Sequence, residues 1–142
     1  MPSMIKTITD DIVTILTGAS LSQTLAIDTV TLDPDVVLKR MTAAEYKIQV
    51  VPLGIKSSMG SRSASLREYT IGVGIFKKLA DSTLVTAEPA LLLTEEILDL
   101  LDVDQIAEAS FTEIDNVPVY SVDDLNNGLF FSVVNVTYTA RR

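Results

Sequence analysis

The stretch Arg67-Glu-Tyr-Thr-Ile-Gly-Val-Gly-Ile-Phe-Lys-Lys78 decides the fold. Tyr69, Ile71, Val73 and Ile75 alternate with Glu68, Thr70, Gly72 and Gly74. Period-two alternation describes a strand with one apolar face, and the other face is almost bare because two of its positions are glycine. Glycine weakens a strand, so a pair on one face implies that a backbone or a large side chain comes close there. Upstream, Tyr46-Lys-Ile-Gln-Val-Val-Pro-Leu-Gly54 reads as a second strand ending at Pro52. The Ser- and Gly-rich residues 54–66 then read as a long polar loop between the two.

Working outward, Pro2 and Ser3 open a helix, with Ser3 as its cap. Ile5, Ile8, Ile12, Ile15 and Leu16 recur at helical spacing until Gly18. Leu25 to Leu32 reads as a strand with a bulge or an end near Asp28, because its apolar phase slips there. Asp33-Pro-Asp35 is a turn, and Val36 to Ala44 is ambiguous, compatible with a short helical turn. Pro89 fits the first turn of a second helix. In that helix Leu93, Ile97, Leu100 and Leu101 form the apolar stripe, and Glu95, Glu96, Asp99 and Asp102 face outward. Ser110 to Val122 is extended, Asn126-Asn-Gly128 turns the chain, and Phe130 to Ala140 closes it as a strand with Val134, Val136 and Tyr138 on one face. The expectation is a single α+β domain over residues 1–142: a mostly antiparallel sheet of four to five strands with two helices on one face. A chain of 142 residues buries enough surface to need no staples.

Composition removes whole classes of chemistry. The chain has no His and no Cys, which excludes Ser-His-Asp and Cys-His catalysis, His-ligated zinc, thiolate metal sites and disulfides. Gly72-Val-Gly74 is half of a dinucleotide fingerprint, but position 77 is Lys and the element continues as a strand, so the helix N-terminus that would hold a pyrophosphate is missing. The pairs Asp33/Asp35, Asp102/Asp104 and Asp123/Asp124 lack the tight oxygen-rich loop of a hard-metal site and read as turn or surface chemistry. Two carboxylates could serve glycoside hydrolysis, but the chain has no Trp to form a sugar platform. No catalytic residue, cofactor site or metal site is expected. No apolar run approaches the ~20 residues of a membrane span, and Asp10 and Asp11 make the first apolar segment unlike a signal peptide.

Charge is segregated along the chain. Net charge is −8. Residues 54–80 carry Lys56, Arg62, Arg67, Lys77 and Lys78 against Glu68 alone, whereas residues 81–128 carry twelve Asp or Glu and no Lys or Arg. Such blocks can meet across copies of one protein and set their register, or the acidic one can be a solvated face. The loop Ser57-Ser-Met-Gly-Ser-Arg-Ser-Ala-Ser65 offers hydroxyls and one Arg, as an anion nest or as a segment that orders on a partner. Candidate contact residues are Lys56, Met59, Arg62, Arg67, Lys77, Lys78, Glu95, Glu96 and Asp99.

The order of small motifs resembles the tail terminator (tail completion) proteins of long-tailed bacteriophages. An N-terminal helix is followed by Val50-Val-Pro-Leu-Gly54, by Ser61-Arg62, by Tyr69-Thr-Ile-Gly-Val-Gly-Ile-Phe-Lys-Lys78 and by an acidic amphipathic helix. Pro118-Val-Tyr120, Asp123-Asp-Leu125 and Phe131-Ser-Val-Val-Asn-Val-Thr-Tyr138 complete the series. The resemblance implies a non-enzymatic virion protein of the tail or neck, made in the cytoplasm of a bacterial host. It implies a homohexameric ring that caps the tail-tube protein and meets the head–tail connector proteins, with DNA passing through the lumen unbound and no membrane involved. A head–tail connector or stopper is the alternative within virions. A cytoplasmic small-molecule-binding domain is the alternative outside them.

Overall fold

The computed structural model describes residues 3–21, 25–28, 46–59, 65–79, 84–102, 105–106, 109–116, 119–120 and 128–141. Helix α1 (Met4–Gly18) starts at Ser3, whose extended backbone (φ −70°, ψ 130°) turns its Oγ to accept from the Lys6 amide at 3.5 Å. Its apolar stripe buries Ile8, Ile12 and Leu16 and half-buries Ile5 and Ile15. Thr9 is buried in the same stripe because its hydroxyl donates back to the Ile5 carbonyl at 2.7 Å.

Among the described residues six strands form one sheet in the order β1-β2-β3-β6-β5-β4. They are β1 (Leu25–Asp28), β2 (Tyr46–Met59), β3 (Ser65–Lys78), β4 (Gln105–Ile106), β5 (Ala109–Asp115) and β6 (Leu129–Arg141). β1 runs parallel to the first four residues of β2, and residues 29–32 of the expected strand lie outside the described residues. Every other pairing is antiparallel. The α+β expectation therefore holds, with the expected strand at Leu25 present as β1 and the sheet widened by the two-residue β4. The expected turn at Asp33-Pro-Asp35, the ambiguous 36–44 segment, Pro118 and the Asp123/Asp124 pair lie outside the described residues.

Two boundary expectations are corrected. The polar loop over 54–66 is mostly strand: β2 continues to Met59 and β3 begins at Ser65, and the two remain in register from Gly54↔Thr70 to Met59↔Ser65. A bulge between Pro52 and Gly54 takes up the slip. Proline breaks one ladder bond but a bulge absorbs it, so the strand resumes instead of ending. The second correction concerns helix α2 (Leu84–Leu101), which begins five residues before Pro89 and so places that proline inside it. The Pro89 ring is exposed, and the missing N–H leaves only the carbonyl four residues earlier without its helical partner.

One face of the sheet carries the core. Tyr69, Ile71, Val73 and Ile75 of β3 pair across to Val134, Val136 and Tyr138 of β6 and to Ile48 and Val50 of β2. Helices α1 and α2 cover this face, α1 through Ile8, Ile12 and Leu16 and α2 through Ala87, Ala90, Leu93, Ile97 and Leu101. The Tyr138 hydroxyl is buried and donates to the Leu101 carbonyl at 3.0 Å, satisfying one of the orphan acceptors at the end of α2. Burial first, and the nearby Asp102 carboxylate second, push ionisation of this phenol well above its ordinary range.

The opposite face contains the two glycines and mixes polar residues with Phe76, Phe131 and Val133. Phe76 is fully buried there and stacks on Phe131 with centroids 4.6 Å apart. Thr70 and Thr137 share a hydroxyl bond of 3.1 Å, Thr112 bonds Thr139, and Asn135 donates to Asp115 at 3.3 Å. Gln49 sits opposite Gly74 and is only 3% exposed, as expected where glycine admits a close approach.

Candidate functional site

The eight candidate contact residues that the structure describes do not gather in one place. Lys56 lies on the distal half of β2, exposed, directly across from Glu68. Met59 ends that strand opposite Ser65, and Arg62 lies outside the described residues. Arg67 is half-buried between Ser57 and Ala140, and its Nε is buried without a hydrogen-bond partner among the described residues. Lys77 and Lys78 stand at the other end of β3, roughly 36 Å away at about 3.3 Å per residue. The Lys77 ammonium is held 4.9 Å above the Tyr46 ring, a cation–π contact that fixes it against its own chain. The basic segment is thus two separate groups. Glu95 and Asp99 are exposed on α2, whereas Glu96 is half-buried.

Among the described residues two apolar surfaces are exposed instead. The first is the distal arm of β2. β1 pairs only with residues 46–49, so the outer edge of β2 beyond Gln49 has no strand beside it among the described residues. Leu53 at the bulge is 48% exposed and Ile55 is 54% exposed, with Lys56 next in the chain. The second surface is a half-open cleft of about 410 Å³ between α2 and the end of β5. Leu91, Thr94, Glu95 and Leu98 line one wall at spacings of three and four residues, and Ile114, Asp115, Asn116 and Val119 line the other. Val119 is 46% exposed. Asn116 locks the far wall by donating to the Ser132 hydroxyl and the Val133 carbonyl, both at 2.8 Å. Two carboxylates, Glu95 and Asp115, flank the apolar floor.

The sequence held a trace of this cleft. Ala90-Leu-Leu-Leu93 places more apolar residues in a row than one helix face can bury. Only Leu93 of the three leucines reaches the core fully; Leu91 is left at the cleft and Leu92 is 49% exposed. Ile114, Asp115 and Val119 carry no comparable signal, because their approach to α2 is set by tertiary packing and not by any local pattern.

Among the described residues no group of three or more His, Cys, Asp or Glu is placed to hold a metal ion, and no helix is long and apolar enough to cross a membrane. Comparison with known proteins places the fold. No protein-family model matches the chain, and no curated protein matches it in sequence. Among solved structures it is similar to a chain described as "Virion of native gene transfer agent (GTA) particle", with a TM-score of 0.58 at 11% identity, over 99% of this chain and 98% of the other. At that identity the shared property is the fold.

Proposed function

We propose that the protein is a structural component of a phage-like particle, a tail terminator that forms a ring, ends the tail tube and joins it to the head connector. The carrying observation is the end-to-end likeness to a chain of a gene transfer agent virion, which covers nearly the whole of both chains. The order of sequence motifs, which resembles tail terminators, supports the finer assignment. A structural role also accords with a chain that has no His or Cys and whose exposed apolar residues sit on an arm and a cleft. Such surfaces serve assembly when they are covered. Its negative net charge suits a lumen through which DNA slides, since affinity for nucleic acid comes from neutralising phosphates.

Electron microscopy of particles labelled on this protein tests the assignment. Density at the junction of tail tube and head with sixfold symmetry is the expected result. Label on the head side of that junction, with a second protein capping the tube, would make the protein a connector or stopper. Absence from particles altogether, with turnover or small-molecule binding in the free protein, would refute a virion role.

A further inference from the structure

We infer that the β2 arm of one copy seats in the α2–β5 cleft of the next, so that Leu53 and Ile55 cover Leu91, Leu98, Ile114 and Val119 while Lys56 meets Glu95 and Asp115. The inference deepens the ring reading and rests on its premise of self-association. Three observations carry it. First, among the described residues the exposed large aliphatics are Leu53 and Ile55 on the arm, Val119 in the cleft, and Leu92 next in the chain to the cleft residue Leu91.

Second, the charges are complementary. Residues 81–128, which supply every residue of the cleft, contain twelve carboxylates and no Lys or Arg, and Glu95 has no ion pair among the described residues. The arm supplies the exposed Lys56, across from Glu68. It is next to Ile55 in the chain but projects from the opposite face of the same edge strand, so an arm entering the cleft edge-on presents both the lysine and the aliphatics. Partners of opposite sign steer one another and fix register, while the aliphatics provide the burial. Third, the two surfaces cannot meet within one chain. β3 and β6 separate β2 from β5, roughly 14 Å at about 4.8 Å per strand spacing. Surfaces that are complementary but not self-complementary join copies head to tail, the arrangement that closes into rings.

The absence of cysteine permits a direct test. Chains carrying Ile55→Cys and chains carrying Val119→Cys, both at exposed positions, are mixed and oxidised. The mixture should yield a disulfide-linked dimer, and neither chain alone should. A chain with both substitutions should give a ladder that stops at the size of the closed ring. In parallel, Lys56→Glu should raise the concentration for half-association by about tenfold, and adding Glu95→Lys in the same chain should restore it. If the wild type is oligomeric by light scattering but the mixture does not cross-link, the docking is refuted and the ring reading stands. If the wild type is a monomer at every concentration and nothing cross-links, both fall. A small molecule co-purifying in the cleft by native mass spectrometry, and shielding Val119→Cys from oxidation, would make the cleft a ligand site and overturn the docking.

Discussion

Replacing Tyr138 by Phe removes one oxygen from a fully buried side chain and leaves the ring, edge-on to Phe111 at 6.1 Å, in place. The lost bond is the 3.0 Å donation to the Leu101 carbonyl. A neutral hydrogen bond contributes about 0.5–1.5 kcal/mol net, and an acceptor left buried and unpaired costs about 1–3 kcal/mol. Water reaching the helix end would relieve part of that, so a loss of about 1–2 kcal/mol at neutral pH is expected, read as a lower urea midpoint at constant slope. The pH dependence is sharper. The folded phenol ionises well above the unfolded value of about 10, held there by burial and then by Asp102. Its proton is therefore retained in the native state while the unfolded state loses it. The contribution is full below pH 10 and is withdrawn as pH rises above it, by about 1.4 kcal/mol per unit until the folded phenol itself ionises. The Phe variant lacks this term, while the other tyrosines act equally in both proteins. Urea titrations followed by circular dichroism from pH 7 to 10.5 should show the gap between wild type and variant shrinking above pH 9.5. A gap that stays constant across that range, or one below about 0.3 kcal/mol at pH 7, refutes the buried bond.

Other outcomes follow from single sites. Ile71→Ala, at the centre of the covered face, should cost about 2–5 kcal/mol in the same titration, because the site is closed on both sides and cannot collapse. Pro89→Ala should stabilise by about 1–3 kcal/mol and raise helical ellipticity, since it restores the missing N–H in an exposed stretch of α2. Gly128→Ala should cost about 1 kcal/mol or more by thermal unfolding: Gly128 has φ +82°, and an added Cβ would stand 3.4 Å from the Leu79 carbonyl oxygen.

The central strands were legible because their signal is local. Alternation in Tyr69 to Ile75 and in Val134 to Tyr138 needs only a neighbouring strand and a covering helix to be realised, and both are present. The distal arm was misread for a physical reason. Ser57, Ser58 and Ser65 have no apolar phase, so nothing in the sequence distinguishes a loop from a ladder held by backbone bonds to an equally polar partner. Pro89 misled in a similar way: its place at helix starts is a preference, and the apolar stripe on both sides of it outweighs one lost bond. The cleft was illegible apart from the leucine run, since its far wall depends on where β5 ends. Charge blocks along the chain mapped poorly onto space, because a fourteen-residue strand carries neighbours in sequence to opposite ends of the sheet.

The bulge at Pro52–Gly54 bears on the life of the protein before assembly. A chain with a bare sheet margin risks adding strand after strand from its own kind, a growth with no natural end. The bulge twists that margin out of the flat geometry that such stacking needs. In the proposed ring, the same twist opposes open-ended strand addition while leaving Leu53 and Ile55 exposed for one specific neighbour.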